Sequence, residues 1–333
     1  MIPELSVGID YHKDSLQVCI LESSGIVRSN RKINNDVGEL IKLVGTKSKN
    51  VVVAAEACNG SSSFLDVLHQ QTNWEVKLCH PGYAQRMRSN PDKTDKSDGE
   101  LIADLTRIGY LPEVWLAPEH LRDLRALVRY RALQMKEARA MKLRIRALLR
   151  NNRIKVVEGV SLWTIAGYSW LSSGVGLSEH SEWVMSRYLL DLRRLQDEVK
   201  AGTKRITEFV KTDSLAQKLL KYRGIGIITA AVMRAEIGTF TRFKTGKQLA
   251  RFCGLTPCNR SSGNVSADSG LIRSGNNVLK ACIAQGVWTL IRYDEHWKEF
   301  AKRLLDRGKP KGVVASAVAN RWMRKLFHEV KHY

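Results

Sequence analysis

Residues 5–22 read LSVGIDYHKDSLQVCILE, and the fold of the first third of the chain follows from them. Two apolar, β-branched runs stand on either side of a short polar break at His12-Lys13-Asp14. That pattern predicts two β-strands joined by a turn, with Asp10 at the end of the first strand. Further along, Val51–Ala55 and Val76–Cys79 are short apolar runs, and the stretch around Phe64–Gln70 between them has helical periodicity. A strand hairpin followed by alternating strand and helix predicts an α/β layered domain with a mixed sheet. The domain is expected to span residues 1–115, since Tyr110, Leu111, Pro112 and Pro118 break the pattern.

Charge divides the chain at the same place. The net charge is +21 over 333 residues, yet residues 1–115 hold 13 Lys/Arg against 15 Asp/Glu, a net of −2, so the remainder carries +23. A one-sided positive balance points to a polyanionic partner, because neutralising phosphates releases counterions. An acidic end on such a chain points to a cation site. No run of eighteen apolar residues and no signal pattern at MIPELSVGID is present, so a soluble cytoplasmic protein without membrane contact is expected. The six cysteines form no CxxC pair and no Cys/His cluster at zinc spacing, and they read as reduced, mostly buried side chains.

From Glu119 to Arg150 the chain has no Gly or Pro, and Leu121, Leu124, Val128, Met135 and Leu143 recur at helical spacing. Its polar face is basic, and Arg139, Arg144, Arg146 and Arg150 are candidate nucleic-acid contacts; a solvated helix face is the alternative reading. A second long helix is expected from Glu182 to Leu220, with Gly202 as a point of interruption. Together the pair predicts a coiled-coil arm over residues 116–214. Residues 215–333 read as an all-α domain with a helix-hairpin-helix-like motif. It opens on Arg223-Gly224-Ile225-Gly226 before an apolar helix, a turn type whose backbone N–H groups bind phosphates. Arg223, Gly224 and Gly226 are its candidate contacts, with Arg234, Lys244, Lys247 and Arg251 around them.

Four carboxylates stand out by position. Asp10 ends the first strand, Glu56 ends the run at 51–55, and Asp95 and Asp98 stand three apart where a loop enters the helix Gly99–Arg107. Brought together, they make a divalent-metal site, because such mutual repulsion costs stability unless cations fill it. Two ions there would serve phosphoryl transfer. Singly, each also reads as a turn or cap residue. His12 and Lys13 read as turn residues, placed beside Asp10 where they can touch a phosphate.

At this point a family resemblance enters. GIDYHKD (8–14), AAEACNG (54–60) and KTDKSDGELIADL (93–105) resemble the DEDD motif of the Piv/MooV-type insertion-sequence transposases, the insertion-sequence one-ten family. The runs KYRGIGIITAAVMRAEIGTFTRF (221–243), LARFCGLTP (249–257) and SSGNVSADSGLIRSGNNVLKACI (261–283) are similar to that family's second domain. The resemblance covers nearly the whole chain apart from the middle helices.

It implies a RuvC-like, RNase H-type N-terminal domain with Mg²⁺ (or Mn²⁺) at Asp10, Glu56, Asp95 and Asp98. It also implies a homo-oligomer, dimer or tetramer, acting on DNA at the ends of the element under a bridge RNA from the same element. A C-terminal-domain serine is implied as strand nucleophile. The family places Ser or Thr three residues before a Gly-Asn or Gly-His pair, whereas this chain has Ile272 there, before Gly275-Asn276. Ser269 and Ser274 are the candidates, with Ser266 further back and Arg273 as a phosphate anchor. Ser269 is favoured because Asp268-Ser269-Gly270 reads as an exposed turn. The loop 261–277 holds no histidine, so activation of the hydroxyl is expected from the carboxylate-bound metal, on the same or a neighbouring subunit. A RuvC-like nuclease using water, and a binding protein without catalysis, are the rival readings. The second leaves the acidic set without a purpose.

Overall fold

In the computed structural model the described residues are 2–46, 50–84, 94–159, 161–262, 265–272 and 275–331. The chain divides into two compact units, Met1–Glu119 and His120–Tyr333.

The first unit is built on β1 (Leu5–Tyr11), β2 (Ser15–Glu22) and β3 (Val27–Asn34). These are followed by α1 (Val37–Val44), β4 (Val51–Glu56), α2 (Ser61–Thr72) and β5 (Glu75–Cys79). It ends with α3 (Pro81–Ala84), α4 (Asp95–Arg107) and the short β6 (Glu113–Val114). The sheet runs in the order β3-β2-β1-β4-β5-β6. β1, β2 and β3 pair antiparallel, β1, β4 and β5 pair parallel, and β6 returns antiparallel on β5. The mixed sheet expected from the sequence is present.

Both faces of the central strands are covered, which is why β4 reads as a near-continuous apolar run and why Ser6, Gly8 and Asp10 of β1 are buried along with its apolar residues. Leu5, Val7 and Ile9 point to the side where Leu40, Val44, Phe64, Leu65 and Leu68 of α1 and α2 pack. The alternate residues Ser6, Gly8 and Asp10 therefore point to the other side. There α4 lies almost on the backbone. A Cβ built on Gly8 would stand 2.1 Å from the Gly99 carbonyl oxygen and 2.4 Å from the Ala103 nitrogen. The approach is possible only because residue 8 has no side chain.

The second unit is carried by α5 (Glu119–Asn151), which begins at the last residue of the first, α6 (Ile165–Ser172) and α7 (Glu179–Thr212). At about 1.5 Å per residue the two long helices are each about 50 Å long. Ala138, Met141, Ile145 and Leu149 of α5 share a core with Met185, Leu189, Leu192 and Leu195 of α7 and with Leu171 of α6. Gly202 does not interrupt α7: the helix runs through it, with the Arg131 side chain packed against that position. The break comes at Asp213, which caps the next helix by accepting from the Ala216 N–H at 2.8 Å. One expected helix is thus two.

The rest comprises α8 (Ser214–Leu220), α9 (Ile227–Ile237), a 3₁₀ turn at Phe240–Arg242 and α10 (Gly246–Phe252). Then come β7 (Pro257–Ser262), β8 (Val265–Leu271), α11 (Asn277–Tyr293), α12 (Glu295–Asp306) and α13 (Lys311–Val330). The unit is helical apart from the β7–β8 hairpin, which corrects the all-α expectation. Ser261 pairs with Ser266 and Ser262 with Val265, leaving Gly263-Asn264 between them, a dipeptide that favours two-residue hairpin connections. Glu236 on α9 is 4% exposed and accepts from Arg129 Nε at 2.9 Å and Nη2 at 3.0 Å, joining α5 to α9. Among the described residues, no helix is long and apolar enough to cross a membrane.

Candidate metal centre and nucleic-acid interface

Asp10 and Glu56 leave the sheet side by side. Ile9 pairs with Ala55 across the parallel β1–β4 ladder, so the next residue on each strand is the carboxylate. By strand alternation both point to the face that α4 covers. Asp10 is 8% exposed, and Glu56 is half-buried.

The other two carboxylates arrive on the first turn of α4. Thr94 caps that helix, accepting from the Ser97 N–H at 3.2 Å while the Ser97 hydroxyl accepts from the Thr94 N–H at 3.1 Å. Thr94 therefore takes the capping role that the sequence left open for Asp95. Asp95 and Asp98 lie within the first turn, where the helix dipole favours negative charge. Asp98 is 9% exposed on the sheet side, and the Asp95 side chain is exposed. The helix end is also tied sideways: Gln17 donates to Asn30 at 2.7 Å, and Asn30 donates to the Lys96 carbonyl at 3.2 Å.

One histidine stands among these acids. His12 Nε2 is 3.2 Å from Asp10 Oδ2 and 3.6 Å from Asp95 Oδ2. Asp10, His12 and Asp95 are the group, among the described residues, whose ligand atoms all lie within 4.8 Å of one another. Sequence reading treated His12 as a turn residue. The overlooked signal is Asp-x-His at the end of a strand, where a spacing of two puts both side chains on one face. Glu56 and Asp98 stand outside that group, on the same covered face.

The thiols beside the site feel its charge. Burial pushes Cys79 up to about 12, and the Glu56 charge adds to the shift. Cys58 is raised first by burial, with Glu56 and Asp10 both contributing against the hydrogen bonds from Ser61. The grouped ligand atoms among the described residues are carboxylate oxygens and an imidazole nitrogen. That set suits a hard or borderline divalent cation.

In the second unit Arg139, Arg144, Arg146 and Arg150 are all exposed on α5. Arg146 and Lys142 lie over the Trp163 ring, at 5.5 and 4.9 Å. The Gly-x-Gly turn joins α8 to α9. Gly224 has φ +86° and packs on α11, where its Cβ would meet the Gly286 carbonyl oxygen at 2.9 Å. Gly226 caps α9 in open space, and exposed Arg223 donates to the Tyr293 carbonyl. Arg234 is not available to a ligand: it pairs with Asp213 at 2.9 Å and donates to the Gly238 carbonyl at 2.8 Å.

Ser266 and Ser269 fall on β8, so the expectation that Asp268-Ser269-Gly270 forms an exposed turn is corrected. Arg273 and Ser274 lie outside the described residues.

Known proteins match this chain in sequence. A family model of DEDD transposases of the IS110 type matches residues 7–153. A second, described as Transposase IS116/IS110/IS902 family, matches residues 216–302. The protein y4qE of Sinorhizobium fredii, named as a transposase, is 28% identical over 95% of this chain and 86% of its own length. The transposase for insertion sequence element IS1111A of Coxiella burnetii is 24% identical over 94% of this chain and 86% of its own. The transposase for insertion sequence element IS1328 of Yersinia enterocolitica is 24% identical over 96% and 94%. Matches of this breadth, acidic part first and basic part second, define the chain as an enzyme of DNA transposition. It belongs to the IS110-type transposases. A divalent-metal requirement comes with the DEDD class, and the carboxylate and imidazole donors at the end of β1 fit such an ion.

Proposed function

We propose that the chain cuts and rejoins DNA at the ends of an insertion sequence. In this reading Asp10, Glu56, Asp95 and Asp98 hold Mg²⁺ or Mn²⁺, and a serine of the second unit is the strand nucleophile. The observation that carries the reading is the meeting of Asp10 and Asp95 at one imidazole, inside the segment that matches the DEDD transposases. The strand order β3-β2-β1-β4-β5, three antiparallel strands and then two parallel ones, supports an RNase H-type, RuvC-like domain. The paired helices α5 and α7 support a coiled-coil arm, and the excess positive charge of the second unit supports DNA and a bridge RNA as partners. Action as a dimer or tetramer in the cytoplasm, on DNA of the nucleoid, completes the proposal.

A bound divalent cation would supply positive charge to the scissile phosphate and favour ionisation of the attacking hydroxyl. The chain's own residues do the rest. Asp10 is fixed by its place in the ladder, and Asp95 and Asp98 by the capped first turn of α4, so the acids are oriented before substrate arrives. As the serine Oγ forms its ester to phosphorus, the strand's P–O bond breaks and the departing oxygen takes a proton. Attack on that ester by the hydroxyl of another strand end reverses the step, so the strands rejoin without an outside energy source.

Digestion and mass spectrometry of a trapped protein–DNA adduct test the nucleophile. The expected phosphoserine lies within residues 261–277, at Ser269 or Ser274. If Ser266→Ala, Ser269→Ala and Ser274→Ala each leave joining intact, the serine reading falls and hydrolysis by water takes its place.

The basic face of α5 has its own test. Replacing Arg139, Arg144, Arg146 and Arg150 with Gln is expected to weaken nucleic-acid binding. The slope of log K against log salt should fall by ~0.9 per lost contact on duplex DNA. An unchanged affinity and slope, measured by fluorescence anisotropy, assign that face to solvent.

A further inference from the structure

We propose that His12 is a ligand of the cation held between Asp10 and Asp95, making a carboxylate–imidazole–carboxylate centre that takes Mn²⁺ more tightly than the carboxylates alone would. The inference rests on the metal reading above and adds a nitrogen donor to the four acids.

The geometry favours coordination over a turn role. Adjacent ligands of an octahedral cation with bonds of ~2.1 Å stand about 3 Å apart, and opposite ones about 4 Å. His12 Nε2 lies 3.2 Å from one carboxylate oxygen and 3.6 Å from the other, and all three atoms fit within 4.8 Å. A small shift brings them onto one cation. The backbone that carries the imidazole is pinned: the His12 N–H donates to the Ser15 carbonyl at 3.0 Å, and the His12 carbonyl accepts from Asn35 at 2.9 Å. Asn35 also donates to the Lys13 carbonyl at 3.0 Å, closing the turn beneath the ring. The side chain itself is 45% exposed, so a cation bound there keeps a face open to substrate.

The chemistry sets the selectivity. Mg²⁺ prefers oxygen donors and sheds water reluctantly, whereas first-row transition ions accept imidazole. Removing the ring should therefore weaken Mn²⁺ more than Mg²⁺.

Pulsed electron paramagnetic resonance on the nucleic-acid-free, full-length chain loaded with Mn²⁺ reads the ligand directly. The expected spectrum shows a coupled ¹⁴N nucleus, which His12→Gln abolishes. Calorimetry should show Mn²⁺ affinity falling at least about tenfold in that variant, with Mg²⁺ affinity changing less. The wild-type spectrum decides the matter without relying on any variant's folding. A manganese signal with no coupled nitrogen, or one that persists in His12→Gln, overturns the assignment of His12 and leaves the acids standing. Manganese uptake that is absent, or unaffected by Asp10→Asn, overturns the metal reading and this inference with it.

Discussion

Asp10→Asn, Glu56→Gln, Asp95→Asn and Asp98→Asn are each expected to cut strand cleavage by roughly a thousandfold or more while DNA and RNA binding survive. The figure follows from the several kcal/mol that metal charge stabilisation contributes, at 1.36 kcal/mol per factor of ten. Binding survives because the acids lie in the part of the chain that carries a net of −2, whereas the remainder carries +23. Each substitution keeps the shape of the side chain and removes one charge, so folding should hold. Asp10 is the most demanding case, since it sits 8% exposed with the His12 imidazole against its Oδ2. Cleavage of a supercoiled plasmid bearing the element ends, with filter binding run in parallel, measures both quantities. Full recombination by any two of the four variants in Mg²⁺ contradicts the quartet.

The second large effect is expected at a residue that carries no charge itself. Gly8→Val should destabilise the N-terminal unit by about 3 kcal/mol or more and abolish cleavage, although glycine has no side chain to take part in the chemistry. A Cβ at that position meets the Gly99 carbonyl oxygen and the Ala103 nitrogen well inside contact distance, and both are backbone atoms that no rotamer change can move. α4 must lift, and with it go Asp95 and Asp98. Urea unfolding followed by circular dichroism gives the stability loss, and limited proteolysis reports whether α4 has come away. Gly99→Ala is the milder partner. Its Cβ would lie 3.4 Å from the Gln17 carbonyl oxygen, 3.6 Å from that of Gly8 and 3.7 Å from the Cys19 Cβ, ordinary contacts. Equal stability of Gly8→Val and the wild type would show that α4 does not need the close approach.

What the sequence made legible and what it hid have physical reasons. β4 is readable because a strand buried on both faces is apolar along most of its length, and β1, β2 and β5 because their Val, Ile and Leu residues cluster in short runs. β3 (VRSNRKIN) escaped because an edge strand exposed along most of its length has no apolar signature to find. The four acids were readable from their places at strand ends and at a helix start. What brings them onto one face, the absence of a side chain at Gly8, leaves no periodic trace. His12 was passed over because a polar residue after a strand usually belongs to the turn, and only alternation along the strand puts its ring beside Asp10. The β7–β8 hairpin was read as loop because Ser, Gly and Asn are frequent in its sequence. Arg234 shows the limit of counting charges: its positive charge is already taken by Asp213 within the fold.

Strand joining on a plasmid carrying the element ends, with the purified chain and its co-purified RNA, tests the central claim most directly. Gel electrophoresis and sequencing of the products should show joined strands in Mg²⁺ or Mn²⁺, none in chelator and none with Asp10→Asn. Joining that persists in chelator or in Asp10→Asn, or nicked products that are never rejoined, would contradict a metal-dependent recombinase built on these acids.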